Sequence, residues 1–243
     1  MFKKELAVSE YPEENPFSQS VGDLMASLLL VFVLILASTL LRLENEFERK
    51  IQFARDYKLL REELYIDLFR EFEKDLSQWS AVLERETLSL RFTEPDVLFD
   101  QGKDSVKEKF SIIISDFFPR YISILCSDKY KTSIEEIRIE GHTSSEWTGR
   151  EKPEEAYFLN MQLSQNRTRN VLRCALDTLK EKPVRDWTRS KITANGLSSS
   201  QPIKKNEVED KDASRRVEFR VRTDAESKIA GFLEQWNDET KTN

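Results

Sequence analysis

SVGDLMASLLLVFVLILASTLL, residues 20–41, is the stretch on which the organisation of the whole chain depends. Its only ionisable side chain is that of Asp23, near the N-terminal end. As a helix that rises about 1.5 Å per residue, the run covers the roughly 30 Å hydrocarbon core of a bilayer. Acidic residues precede it, and it is too long for the apolar region of a cleavable signal peptide. We therefore expect a polar tail over residues 1–19 and an uncleaved transmembrane helix over residues 20–41.

Asp23 has two interpretations that the residues alone leave open. Ser20 and Asp23 have the spacing of a capping box, with Ser20 as the N-cap and Asp23 at the third helical position. A carboxylate inside a membrane segment is costly, however, so it faces protein or water and commonly has a function such as binding a proton or an ion. Asp23 is therefore either the start of a helix or an ion site.

A long amphipathic helix is predicted to follow the membrane segment, as a helical stalk over residues 42–86. Apolar residues recur about every 3.6 positions, the period of a straight helix. No glycine or proline interrupts the chain between Leu41 and Pro95. A single apolar stripe needs a partner, and a parallel second copy is the simplest one. The stripe consists of Leu43, Phe47, Ile51, Ala54, Tyr57, Leu60, Leu64, Leu68, Phe72, Leu76, Trp79 and Leu83.

Residues 87–225 have the pattern of one compact domain. Alternating apolar residues predict strands near 88–93, 134–141, 191–196 and 216–222. Helical patterns follow Asp104, a candidate N-cap, and extend from about Asn160 to Lys180, with Pro119 marking a kink or an end. Residues 181–190 are predicted as a loop. The fold class is thus α+β, with the order β-α-β-α-β-β. Within residues 226–243 a short closing helix is expected at 226–236.

Composition excludes several classes of function. The net charge is −6 and the basic residues are scattered, so nothing favours a nucleic-acid partner. His142 and the two cysteines have no metal-ligand spacing, so no metal site and no cofactor are predicted, and His142 is interpreted as a loop residue. Cys126 and Cys174 are either a disulfide, if the domain lies in an oxidising compartment, or buried free thiols.

Five ordered segments resemble the OmpA-like peptidoglycan-binding domain. They are VLFDQG at 97–102, IEGHT at 139–143, NMQLSQNRT at 160–168, ANGL at 194–197 and SRRVE at 214–218. This resemblance implies a peptidoglycan site, in which the arginine fork binds a carboxylate of the stem peptide. The implied site residues are Thr143, Ser144, Asn160, Leu163, Arg167 and Arg216.

Some of these positions also have structural interpretations. Asn160 could cap a helix, Leu163 could belong to the core, and Arg216 could lie on an exposed strand face. Ser144 stands where the family usually has an aspartate, so the acid that would bind the ligand's ammonium is absent from its usual place. Glu146 or another acid would have to replace it.

The organisation of the whole chain resembles the MotB-type stators, and the sequence around Asp23 and Trp147 resembles the ZorB family of Zorya anti-phage defence systems. That resemblance implies an inner-membrane homodimer, in contact with membrane lipids, inside a ring of ZorA subunits, with Asp23 binding protons. It also implies a cytoplasmic N-terminus, a periplasmic wall-binding domain and no enzymatic activity. The alternatives are a flagellar or other MotB-type stator, and a static envelope tether in which Asp23 conducts nothing.

Overall fold

The computed structural model describes residues 16–93, 95–147 and 152–224 of the chain. Residues 1–15 of the predicted tail and the predicted helix at 226–236 lie outside these residues. The chain divides into two compact units between Arg55 and Asp56, and the first helix contributes residues to both.

The first helix, α1, spans Pro16–Leu76. Its segment Ser20–Arg49 reaches a mean hydropathy of 2.7, and none of that apolar window is buried. By length and composition this segment is able to cross a membrane. Because the helix begins at Pro16, where proline is well tolerated, Ser20 and Asp23 lie inside it. The capping-box interpretation of these two residues is therefore wrong.

In the second unit, α1 buries the continuation of its apolar stripe. Leu64, Leu68 and Phe72 are at most 1% exposed, and they belong to the core of this unit. The Phe72 ring lies 5.3 Å from that of Phe117. The sequence predicts a second copy as the partner of this stretch, whereas the structure covers it with the chain's own domain.

The helix ends at Leu76, before the predicted stripe does. Ser80 has a φ of 50° in the turn that follows, and Ala81–Glu84 forms the first strand, β1. The predicted helical stalk over residues 42–86 is therefore wrong at its end, because the helix stops at Leu76. The physical reason is that Trp79 and Leu83, four residues apart, are both buried, and a turn followed by an alternating strand produces that spacing as well as a helix does.

The strands after β1 are β2 (Ser89–Phe92), β3 (Ile134–His142), β4 (Ile192–Gly196) and β7 (Arg216–Thr223), with a separate hairpin of β5 (Lys204–Lys205) and β6 (Val208–Glu209). A mixed sheet of five strands has the order β1-β2-β7-β3-β4. In it, β3 pairs antiparallel with β7 and parallel with β4, and β2 pairs antiparallel with both β1 and β7. The helices are α2 (Pro95–Leu98), α3 (Glu108–Leu125), α4 (Pro153–Asp177), α5 (Lys182–Lys191) and α6 (Lys211–Ser214).

The α+β class and the predicted strand and helix order are confirmed by the succession β2, α3, β3, α4, β4 and β7. Two local predictions are wrong. The N-cap of α3 is Lys107 and not Asp104, because a bridge between Phe99 and Val106 keeps that segment extended. Of the two alternatives for Pro119, a kink or an end, the end is excluded, because Pro119 lies inside α3.

The second wrong prediction concerns α5, which was expected to be a loop. Val184 and Trp187 are the only large apolar side chains of this helix that pack against the core, so its apolar pattern is too sparse to indicate a helix, although Thr188 is also buried. Pro183 lies in its first turn, where proline fits a helix start.

Aromatic side chains join α3 to the sheet. The Phe117 ring lies 5.1 Å from that of Phe219 on β7, and the Phe110 ring lies 5.3 Å from that of Phe92 on β2. All four side chains are fully buried. Rings at these separations and steep angles add an edge-to-face attraction to their apolar burial.

Two glycines let α4 lie directly on the ends of β3 and β4. A Cβ at Gly196 would lie 2.3 Å from the Gln165 backbone nitrogen, and one at Gly141 would lie 2.6 Å from Cγ2 of Thr168. Neither contact is possible without movement, so both positions need glycine. This close approach brings the polar residues of α4 to the end of the sheet.

Cys126 and Cys174 are both free, half-buried thiols. Cys174 Sγ lies 3.4 Å from Ser111 Oγ of α3. Of the two alternatives for the cysteines, the structure has the free thiols.

Candidate functional site

A cavity of about 380 Å³ opens where β3 ends, β7 begins and α4 crosses them. Its wall also includes the segment before α3. The structure brings all the predicted wall-binding residues together here, since each of them lines the cavity. They are Thr143, Ser144, Asn160, Leu163, Arg167 and Arg216.

Asn160 fixes the loop that follows β3. Its side-chain nitrogen donates to the carbonyl oxygens of Ser144 at 3.2 Å and of Glu146 at 3.1 Å. The residue is 3% exposed and lies inside α4, so it is not the helix cap that it could be on the sequence alone. A buried amide with two backbone acceptors holds this part of the cavity wall in one conformation.

Ser164 and Gln165 connect α4 to β4 and to Ser198, which follows that strand. The Ser198 backbone nitrogen donates to Ser164 Oγ at 3.1 Å, and the Gly196 nitrogen donates to Gln165 Oε1 at 2.8 Å. Gln165 Nε2 in turn donates to the Ala194 carbonyl oxygen. The polar residues of the 160–168 segment therefore serve first to fix the surrounding main chain.

Arg167 projects from α4 towards the segment that precedes α3. Nε donates to the Lys103 carbonyl oxygen at 2.9 Å and Nη2 donates to that of Asp100 at 3.2 Å, while the guanidinium carbon lies 4.6 Å from the centre of the Phe99 ring. Within the described residues Nη1 makes no hydrogen bond. Burial lowers the pKa of Arg167 to about 10, so the group stays charged at neutral pH.

Thr143 and Ser144 form the end of the cavity next to β3. The Thr143 backbone nitrogen donates to the Ser198 carbonyl oxygen at 2.9 Å, whereas its buried Oγ1 has no partner in the part of the chain that is described. Ser144 is 4% exposed and contributes a hydroxyl where the OmpA-like pattern has a carboxylate. A buried hydroxyl without a partner carries a desolvation cost that a hydrogen bond to a ligand would offset.

Arg216 is buried at the start of β7, so the exposed-strand interpretation is wrong. Its Nε donates to Glu218 Oε1 at 2.6 Å, and Nη1 donates to the carbonyl oxygens of Gln201 and Ser214. Burial raises the pKa of Glu218, but the hydrogen bond and charge of Arg216 outweigh it and hold that pKa below its usual value. Glu218 therefore stays ionised and fixes Arg216 beside the cavity.

The sequence suggested that His142 belongs to a loop, but it is the last residue of β3. Its side chain is 1% exposed, and neither imidazole nitrogen has a hydrogen-bond partner among the described residues. Burial lowers the pKa of His142 to about 4, so the imidazole is neutral at neutral pH.

The donor set of Glu140, His142 and Glu218 is the one group among the described residues that could hold a metal ion, since one ligand atom from each lies within 4.8 Å of the others. An imidazole and two carboxylates suit zinc. Arg91 and Arg216 already donate to Glu218, however, and their positive charges oppose a divalent cation. We interpret the group as part of an ion-pair network on this face of the sheet.

Several residues line the cavity without having been predicted as site residues. Phe99, Asp100 and Arg215 lie within the quoted 97–102 and 214–218 segments, so the pattern contained the signal for them. Trp147 also lines the cavity, and no feature of the sequence pointed to it as a site residue.

Asp23 belongs to the first unit and is the eighth residue of α1. The Ser27 hydroxyl donates to its backbone carbonyl oxygen at 2.7 Å, one helical turn away. Its side chain is exposed at the start of the apolar segment. Because α1 begins at Pro16, the Asp23 carboxylate does not cap this helix.

Comparisons with known proteins identify a family and several relatives of this chain. Residues 98–216 match the OmpA family. Over 224 residues the chain is 42% identical to the Zorya protein ZorB of Escherichia coli, which covers 92% of this chain and 94% of that protein. Among solved structures, a MotB-like protein from Desulfovibrio vulgaris is similar with 22% identity and a TM-score of 0.46, over 67% of this chain and 94% of that one. The cell wall anchor of the T6SS from Pseudomonas aeruginosa is similar with 21% identity and a TM-score of 0.44, over 64% of this chain and 96% of that one.

Proposed function

This chain belongs to the ZorB family of Zorya proteins, and from that membership we propose that it is the wall-anchored, ion-conducting subunit of an inner-membrane motor in anti-phage defence. The 42% identity to ZorB over nearly the whole chain is the observation that carries this proposal. The subunit works as a machine part and not as an enzyme. Its partners are a second copy of itself, a ring of ZorA subunits, membrane lipids and peptidoglycan.

Wall binding is assigned to the cavity at the end of the sheet. Peptidoglycan stem peptides carry carboxylates, and the cavity has Arg167 with a free Nη1 as well as the unpaired Thr143 hydroxyl. A preformed cavity with a few fixed polar groups is typical of a specific ligand site. The OmpA family match over residues 98–216 includes every residue of this proposed site.

Ion conduction is assigned to Asp23. It is the only ionisable residue between Val21 and Leu41, and it does not cap α1. An ionisable residue inside a membrane segment is costly and commonly has a function such as binding a proton or an ion. Protonation and release at Asp23 would change the local charge and so alter the packing of the surrounding ZorA helices. The N-terminus is then cytoplasmic and the second unit periplasmic.

The test is protection against phage in cells that carry this protein together with its neighbouring genes. Asp23→Asn removes the titratable group with almost no change in shape, so we expect plating efficiency to rise to that of cells without the system. Glu46→Gln, which neutralises an exposed acid of α1 beyond the apolar run, is the matched control and should protect as the wild type does. Membrane levels of both variants are compared by immunoblot. If Asp23→Asn protects fully, ion conduction at Asp23 is excluded and the protein is a static wall tether.

A further inference from the structure

Six basic residues lie on the exposed sides of two successive helices, α4 and α5, and on the turn between them. Residues 169–189 contain these six basic residues and only three acidic ones, in a chain whose net charge is −6. All six are exposed. Together they form the basic surface, which consists of Arg169, Arg173, Lys180, Lys182, Arg185 and Arg189.

Each helix directs its share of these side chains away from the core. On α4, Arg169 and Arg173 are one helical turn apart, so they share one side of the helix. On α5, Lys182, Arg185 and Arg189 recur at intervals of three and four residues and share a side in the same way. The apolar residues of α5 lie on its other side, against the core. The basic surface is therefore fixed by the packing of the two helices.

The charges of the basic surface have no ion-pair partner within the residues that the structure describes. This sets its four arginines apart from the two other exposed arginines described in the second unit, because Arg70 pairs with Asp67 and Arg85 pairs with Glu62. Clustered cations that no neighbouring acid contacts produce a positive potential at the surface. The partner that fits such a surface is anionic.

The basic surface begins near the cavity and leads away from it. Arg169 follows Arg167 by two residues on α4, yet no member of the basic surface lines the cavity. β4 begins beside Ile137 of β3 and runs parallel to it, so α5, which leads directly into β4, meets the sheet on the side away from the cavity. The α4 part alone rises about 12 Å from Arg169 to the end of the helix. A row of this length fits an extended anionic polymer and not one small ligand.

We propose that the basic surface is a second, electrostatic contact with the wall, which binds carboxylates of peptidoglycan beyond the stem peptide held in the cavity. This inference rests on the proposed wall-binding function and adds to it a surface that the cavity does not include. A peptidoglycan strand repeats its stem peptides, and with them their carboxylates, so a strand held beside Arg167 presents further negative charges along α4 and α5. Exposed charge contacts are individually weak and screened by salt, but several on one polymer act together.

The experiment measures cosedimentation of the full-length protein in detergent with purified peptidoglycan at increasing salt concentration. The α5 variant combines Lys182→Gln, Arg185→Gln and Arg189→Gln. We expect it to bind at least about fivefold more weakly than the wild type at low salt, which is the combined effect of three exposed charges. At about 1 M salt, where the screening length is about 3 Å, the two proteins should bind alike. Binding of one soluble stem peptide, which occupies only the cavity, should be the same for both.

The matched control combines Lys74→Gln, Lys109→Gln and Lys131→Gln, which remove three exposed positive charges from separate parts of the second unit. It should sediment with peptidoglycan as the wild type does. An α5 variant that sediments like the wild type at low salt, or a control that loses as much binding, overturns the inference and leaves wall binding intact. In the first case the basic surface serves another anionic partner, such as lipid headgroups. A wild type that binds neither peptidoglycan nor the stem peptide overturns the proposed wall binding as well.

Discussion

Glu140 and Glu218 lie directly opposite each other on β3 and β7, with His142 beside them, and all three are buried. Like charges in this position are destabilising unless cations compensate them. Arg91 and Arg216 donate to Glu218, and Arg138 lies 4.0 Å from Glu140. A protonated His142 would add a further positive charge next to Arg216 in a site that water does not reach. Burial of these groups therefore makes the stability of the second unit sensitive to acid.

We predict that the stability of the second unit falls as the pH falls from about 6.5 to about 4. The folded state holds the pKa of His142 at about 4, below its value of 6.5 in the unfolded chain. Between these values the unfolded state binds a proton that the folded state does not, so protonation favours unfolding, by up to about 3 kcal/mol. Above pH 6.5 the effect is absent.

The measurement is urea unfolding of the full-length protein in detergent, followed by the fluorescence of its four tryptophans, which all lie after residue 56. Burial raises the pKa of Glu140, which gives the opposite dependence on pH, but that contribution is common to the wild type and His142→Gln. The difference between the two proteins should therefore change in this pH range. Parallel stability curves would contradict the prediction.

At the scale of elements, α1 shows what a helical period can and cannot establish. The period of the stripe correctly predicted a helix through Leu64, Leu68 and Phe72, but a period does not say what covers the stripe. The covering comes from α3 and the strands, which are distant in sequence. The end of the helix was missed for the same reason, since the pairing of β1 with β2 decides it.

We predict that Leu68→Ala lowers the free energy of unfolding of the second unit by about 2–5 kcal/mol, the usual cost of truncating a buried leucine. Leu68 is 1% exposed, whereas its neighbour Phe69 is 40% exposed on the other side of the helix. Phe69→Ala is therefore the control, and its effect should be clearly smaller. Urea unfolding compares the two. Equal small effects would mean that this part of α1 does not belong to the core.

The candidate site was more predictable than the boundaries of the elements around it. All six predicted wall-binding residues line one cavity because the resemblance rested on ordered segments, and each segment folds to the same end of the sheet. What the pattern did not contain is which ion pair each charged group makes. Glu146 pairs with Lys211, which is 65 residues away in the sequence, and that contact depends on the tertiary fold.

At the scale of the whole molecule, the proposed function depends on two distant residues, Asp23 and Arg167, and it fails if either one is lost. Ion passage at Asp23 has no mechanical effect unless the wall site resists it, and a wall anchor without ion passage does no work. Arg167→Lys keeps the charge of the cavity but removes the planar fork that donates to the carbonyl oxygens of Lys103 and Asp100 and that, in the proposed function, also binds the ligand. We expect at least about tenfold weaker cosedimentation of this variant with purified peptidoglycan, because a charged hydrogen bond to the ligand is lost.

In cells, Asp23→Asn and Arg167→Lys should each abolish protection against phage, and the double variant should plate phage as either single variant does, since groups that act as one unit are not additive. Arg173→Lys, on an exposed face of α4, controls for the change of arginine to lysine and should protect fully. Protection lost in Arg167→Lys but kept in Asp23→Asn would indicate a static tether, and the reverse pattern would indicate an ion pathway that needs no wall. Either pattern contradicts a motor that conducts ions at one end of the chain and holds the wall at the other.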